Sequence, residues 1–223
     1  MKQLFFFLFV LFYADLIAQS AVNKPNIIMI FSDDHALQAI SAYGSPHIQT
    51  PNIDRIASEG AIFRNTFVTN SICAPSRAVL LTGKYNHLNG QYDNRTETRI
   101  NTGQDMYPKY LQNHGYQTAR IGKWHINNHP QYFDYWKILP GQGVYYNPDF
   151  IQMDSSRVRI DGYATDVITE QAINWLEQGR DKSKPFSLVI GHKAPHREWQ
   201  PDIQDLGAFE KPFDVPSNFF DDY

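Results

Sequence analysis

The sequence predicts an α/β fold with a mostly parallel central sheet flanked by helices. Three observations carry that prediction. Continuous apolar, β-branched runs at residues 26–31 and 185–191 read as strands buried on both faces, the kind found in parallel sheets. Segments with helical spacing alternate with strand signals, as strand–helix–strand units require. Asp33 and Asp34, Cys73 and Arg77, Lys123 and His125, and His192 and His196 each follow a predicted strand or open a predicted helix. With parallel strands, all four groups fall on the sheet's carboxyl edge, where open α/β sheets bind ligands.

The chain opens with Met1 and Lys2, then runs apolar to Ile17, broken by Asp15 and followed by Ala18, Gln19 and Ser20. This is the pattern of a secretory signal peptide over residues 1–20, with cleavage before Ala21 and a periplasmic or secreted destination. The run is short and contains a charge, which argues against a membrane span. No cysteine lies near the cleavage site, so no lipoprotein anchor is expected. The net charge of −3 argues against a nucleic-acid groove or a polybasic membrane surface. The remaining chain of about 200 residues is enough for one α/β domain. Cys73 is the single cysteine and has no disulfide partner in the chain, so outside the cytoplasm it must be buried, paired in trans or chemically converted.

Taken in order, the strand at 26–31 delivers Asp33 and Asp34, whose oxygens suit a hard divalent cation. Such a pair also serves as a turn or helix cap. Thr50 as N-cap, Pro51 in the first turn and Gly60 at the end frame a helix, with Ile53 and Ile56 as its apolar stripe. Residues 61–68 read as a second strand. Pro75 is placed as a first helical residue, the helix ends at Gly83, and Cys73 lies at or just before its N-terminus. Free N–H groups there favour anions, and Arg77 sits one turn further on. A nucleophile, an anion-binding helix end and a guanidinium in one short stretch suit a tetrahedral oxyanion.

Residues 86–104 read as a surface loop carrying the sequon Asn94-Arg95-Thr96. A helix over 107–115 closes at Gly115, and a strand over 116–121 ends at Gly122-Lys123-Trp124-His125. Residues 127–160 read as one long loop, the sort that often lines a site. A helix over 165–178 places Trp175 in the core. The strand at 185–191 then delivers His192, Lys193, His196 and Trp199. Trp199 and the tyrosines at 145 and 146 suit sugar stacking and packing equally.

The pattern Cys73-x-Pro75-Ser76-Arg77, continued to Thr82-Gly83, resembles the signature of type I sulfatases, members of the alkaline-phosphatase-like superfamily. The similarity extends over residues 25–201. It includes the Asp33-Asp34 pair, Thr50-Pro51-Asn52-Ile53-Asp54, Gly122-Lys123-Trp124-His125 and Lys193-Ala194-Pro195-His196. The flavour is that of bacterial glycan sulfatases, including the glucosamine-6-sulfatase-like kind.

The resemblance implies a sulfuric ester hydrolase acting on a sulfated small molecule or glycan. Cys73 would be oxidised to formylglycine by a formylglycine-generating or anaerobic sulfatase-maturating enzyme, and the aldehyde hydrate would be the nucleophile. Asp33, Asp34 and the converted Cys73 would hold calcium. Arg77 and Lys123 would balance negative charge, and His125 would act as base. His196, with His192 as its alternative, would be the catalytic histidine, and His196 or Lys193 would protonate the leaving oxygen. Lys123, Lys193, His192 and Trp199 would contact substrate.

Two other readings share the pattern. One is a phosphate or phosphonate ester hydrolase of the same superfold, and the other is a non-catalytic sulfated-glycan-binding relative. The family's later Asp-Asn or Asp-His pair and further lysine have no match after Trp199. Residues 21–223 therefore read as the N-terminal part of a catalytic domain, expected to bind calcium weakly and turn over slowly alone.

Overall fold

The computed structural model describes residues 24–221, apart from 102, 211 and 216–218. The signal-peptide reading of residues 1–20 falls outside them. Strands β1 (Ile27–Phe31), β2 (Gln117–Lys123), β3 (Tyr135–Leu139), β4 (Asp149–Gln152), β5 (Arg157–Arg159) and β6 (Phe186–Gly191) form one sheet in the order β1-β6-β2-β3-β4-β5. The first four positions are parallel, and β4 and β5 add an antiparallel end. The fold is therefore the predicted α/β class with a mostly parallel sheet.

Register brings the strand ends level. Phe31 pairs with Gly191, Gly191 with Gly122, and Lys123 with Leu139. Whatever leaves β1, β6, β2 or β3 at its C-terminal end emerges at one edge.

The strand side chains alternate between two cores, as a period of two demands. On one face Ala119, Ile121, Leu188 and Ile190 pack under helix α5 (Ala164–Asn174) through Val167, Ile168 and Ala172. Trp175 begins the π-helical turn Trp175–Gly179 after α5 and is buried in that core, as predicted. On the other face Val189, Trp136 and Ile138 meet Ala78 and Leu81 of helix α2 (Cys73–Thr82). Helices α1 (Pro51–Glu59), α3 (Asn86–Asn89) and α4 (Tyr107–Asn113) complete the main helical elements, and Gly115 follows α4 as expected.

Several local expectations are corrected. Strand β1 is not buried on both faces. It lies at the sheet margin with β6 as its neighbour, α5 packs over β2 and β6, and Ile28 and Ile30 stay 50% and 58% exposed. Residues 61–68 form no strand, because no neighbouring strand pairs with them, and Phe67 is 89% exposed.

In α1 the stripe of Ile53 and Ile56 is exposed. Thr50 caps no N–H; its hydroxyl donates to Asp54 Oδ1 at 3.0 Å, and Gly60 stays out of the left-handed region. Helix α2 starts at Cys73, two residues before Pro75, and ends as expected with Gly83 at φ 64°. The stretch 86–104 holds α3 and the fully buried Asn89 and Gln91. The stretch 127–160 is not one loop, since β3, β4 and β5 lie within it.

Gly122 shows why the edge can close. Its φ is +89°, and a Cβ there would sit 2.1 Å from the Gly191 carbonyl oxygen. Gly44 has a similar φ with open space around it. Gly122→Ala is expected to cost about 2–3 kcal/mol in urea unfolding, and clearly more than Gly44→Ala. Equal costs would show that the close approach is unimportant.

Candidate active site

Asp33 leaves β1 with its N–H bonded to the Ala194 carbonyl, which seats it against the segment after β6. Its carboxylate is buried. Arg77 Nη2 donates to Oδ1 at 3.2 Å, and Lys123 Nζ donates to Oδ2. Arg77 comes from α2, one turn past Cys73, and Lys123 from the last position of β2. Burial raises the Asp33 pKa, but the Lys123 hydrogen bond and the charges of Arg77 and Lys123 outweigh it. The net shift is downward, so the group is an anion at neutral pH.

The Lys123 carbonyl is a second junction. It accepts from Arg77 Nη1 at 3.1 Å and from Arg120 Nη2. The two guanidiniums also lie over rings, Arg77 on Phe31 at 5.2 Å and Arg120 on Trp124 at 5.5 Å. Burial and the Arg77 charge bring Arg120 down to about 9, so it remains a cation. Gly191 must lack a Cβ here, because one would stand 2.5 Å from the Lys123 carbonyl oxygen. In Gly122-Lys123-Trp124-His125, the glycine admits the close strand approach, the lysine reaches Asp33, and the tryptophan packs in the core.

Cys73 opens α2, and Ala74 N–H donates to Asn94 Oδ1 at 2.9 Å. The thiol is half-buried, and burial, then Asp33, push its pKa up despite the Lys123 and Arg77 charges. The helix end therefore does not yield a ready thiolate. Donor atoms of Asp33, Cys73 and His196 lie within 4.8 Å of one another. Asp34 is exposed, at φ 58°, with Oδ2 3.6 Å from His196 Nε2. His196 Nδ1 donates to the Arg197 carbonyl at 2.5 Å, because a carbonyl only accepts; this leaves Nε2 toward Asp34. Asp33, Asp34, Cys73 and Arg77 line a cleft of about 500 Å³.

The remaining predicted residues differ in placement. His125 adopts φ 52°, and its pKa is lowered to about 4 by burial, then by Lys123 and Arg77, so the ring is neutral at pH 7. Lys193 is buried with Nζ 4.8 Å from the Tyr145 ring centroid, and burial, then Lys123, lower its pKa. His192 is held by its backbone N–H to the Phe31 carbonyl, and burial lowers its pKa. Trp199 is 73% exposed, and its backbone N–H donates to the His196 carbonyl. Of the two candidate histidines, His196 is the one beside Asp34 and Cys73.

Sequence reasoning missed Arg120, Asn94 and Gln142. Asn94 fell inside a sequon, and Gln142, which accepts from Lys123 Nζ at 2.6 Å, inside the supposed long loop. The buried arginine three residues before Lys123 was a usable signal, because buried guanidiniums need partners.

The Sulfatase family model matches residues 25–220. The chain is 52% identical over 205 residues to an N-acetylglucosamine-6-O-sulfatase of Bacteroides thetaiotaomicron, covering 90% of this chain and 36% of that protein. It is 32% identical to an ulvan-active sulfatase of Formosa agariphila, covering 80% of this chain and 37% of that one. A solved structure holding its substrate, D-glucosamine-2-N,6-O-disulfate, superposes with a TM-score of 0.85 at 51% identity, covering 90% of this chain and 41% of that one. The chain thus spans less than half the length of these relatives.

Because burial and Asp33 hold the thiol protonated, Cys73 is expected to react with iodoacetamide at pH 8 several-fold more slowly than a free thiol. Asp33→Asn is expected to accelerate the reaction. A wild-type rate equal to that of a free thiol would contradict this electrostatic picture.

Proposed function

We propose that this chain, which belongs to the sulfatase family, takes part in hydrolysing a sulfate monoester of a sugar. The observation that carries the proposal is the buried Asp33 carboxylate shared by Arg77 and Lys123 beside Cys73. The 52% identity to an N-acetylglucosamine-6-O-sulfatase supports an amino-sugar 6-sulfate as substrate. Residues 1–20 are read as a signal peptide, residues 21–223 as the N-terminal part of the catalytic domain, and the destination as periplasmic or secreted.

A sulfate ester is anionic and has a poor alkoxide leaving group. Cleavage needs charge balance, a strong nucleophile and a proton for the departing oxygen. The raised thiol pKa makes Cys73 itself a poor nucleophile, which favours its conversion by a maturating enzyme to formylglycine. A hydrated formylglycine at position 73 would supply the oxygen that displaces the sugar oxygen from sulfur, and His196 or Lys193 would protonate that leaving oxygen. The lowered pKa of Lys193 makes it a stronger acid than an ordinary lysine. Neutral His125 then removes the proton of the second hydroxyl. Arg77 and Lys123 balance the charge throughout.

Asp33 and Asp34 fit a hard cation in kind, and an oxygen at residue 73 would extend the set. Two carboxylates fall short of the about six to eight oxygens that calcium takes. We read these residues as one part of a calcium site, where the ion would polarise the sulfate and the hydrate.

The test is release of sulfate from N-acetylglucosamine-6-sulfate, with glucosamine-6-phosphate as comparator, by chain co-expressed with a maturating enzyme. Slow sulfate release is expected, falling at least about 100-fold in Cys73→Ala and Lys123→Ala. Faster phosphate release would favour the phosphate-ester reading, and binding without release the non-catalytic one.

His125 is a base only when neutral. With its pKa depressed to about 4, activity is expected to hold as pH falls to about 4 and drop below it. His125→Gln should flatten that acid limb. An unchanged limb would remove His125 from the role.

A further inference from the structure

Lys123 has a partner that the mechanism above leaves idle. Gln142 Oε1 accepts from Lys123 Nζ at 2.6 Å. An ammonium can only donate, so the amide must turn its oxygen inward and carry its NH₂ on the other side. Among the described residues no acceptor meets that NH₂. Lys123 is 0% exposed and has three N–H groups. Asp33 and Gln142 take two, so the pair fixes where the buried ammonium points.

The backbone is shaped for this delivery. Register sets Leu139 opposite Lys123, so the connection from β3 to β4 starts at the same edge. Gln142 stands between Gly141 and Gly143, both left-handed at φ 52° and 69°. A Cβ on Gly143 would sit 2.6 Å from Leu139 Cδ1. The same connection carries Tyr145, whose hydroxyl donates to the His196 carbonyl and whose ring faces Lys193. One loop is thereby tied to Lys123, Lys193 and His196. The amide is also the right charge type. Asp33 already balances part of the buried positive charge, and a second carboxylate at 142 would cancel the attraction for an anion.

We propose that Gln142 is a substrate-binding residue of this site. Its oxygen fixes the Lys123 ammonium, and its NH₂ donates to an oxygen of the bound sulfate ester. This rests on the sulfate-ester reading above.

The test is NMR titration of the chain with N-acetylglucosamine-6-sulfate, comparing wild type with Lys123→Ala, Gln142→Leu and Gln142→Glu, alongside melting curves. Lys123→Ala is expected to abolish binding. Gln142→Leu should weaken it about 5- to 20-fold with an unchanged melting midpoint. Gln142→Glu should weaken it further, and that deficit should shrink only as pH falls below about 4, because Lys123 would hold the new carboxylate's pKa down as it does that of Asp33. Wild-type affinity in Gln142→Leu, with binding lost in Lys123→Ala, would overturn the Gln142 assignment alone. Wild-type affinity in Lys123→Ala, or no binding by wild type, would overturn the sulfate site and this proposal with it. If Gln142→Leu does not fold, the pH response of Gln142→Glu decides: no recovery at low pH contradicts the proposal.

Discussion

The Asp33 carboxylate, buried and shared by Arg77 and Lys123, is the contact on which the rest of this site depends. Its three members come from the end of β1, the second turn of α2 and the end of β2. Burying charge is costly unless each group finds a partner, and removing one member strands the others. The pairing therefore joins three separate parts of the fold at one edge. The Lys123 carbonyl, with its two guanidinium donors, reinforces the same junction from the backbone side.

That junction also sets the chemistry beside it. Burial, then the negative charge of Asp33, holds Cys73 as a thiol, while burial, then Lys123 and Arg77, holds His125 neutral. Burial beside this charge cluster thus disfavours a thiolate and favours an imidazole base. An aldehyde hydrate does not need a thiolate, so the proposed conversion of Cys73 accords with these surroundings.

Much of this was readable from the sequence, because the chemistry sits where strands end and helices begin. Apolar runs marked β1 and β6, and Gly122-Lys123-Trp124-His125 marked the end of β2. The pattern could not reveal neighbours. Ile28 and Ile30 read as buried from their own composition, but burial depends on what covers them, and here they are exposed. Residues 61–68 have strand composition without a pairing partner. Strands β3 to β5 were hidden by flanking prolines, glycines and tyrosines, and β5 spans only Arg157–Arg159. Gln142 and Asn94 act through single side-chain contacts across 19 and 20 residues, which no local period encodes.

Cys73, held as a thiol in this charged pocket, is proposed as the precursor of the nucleophile. Mass spectrometry of the tryptic peptide carrying position 73, from chain made in the presence of a maturating enzyme, tests it most directly. The expected result is an aldehyde, seen as replacement of the thiol sulfur by carbonyl oxygen and as reactivity toward a hydrazide. An unmodified thiol at position 73 under those conditions would contradict the account.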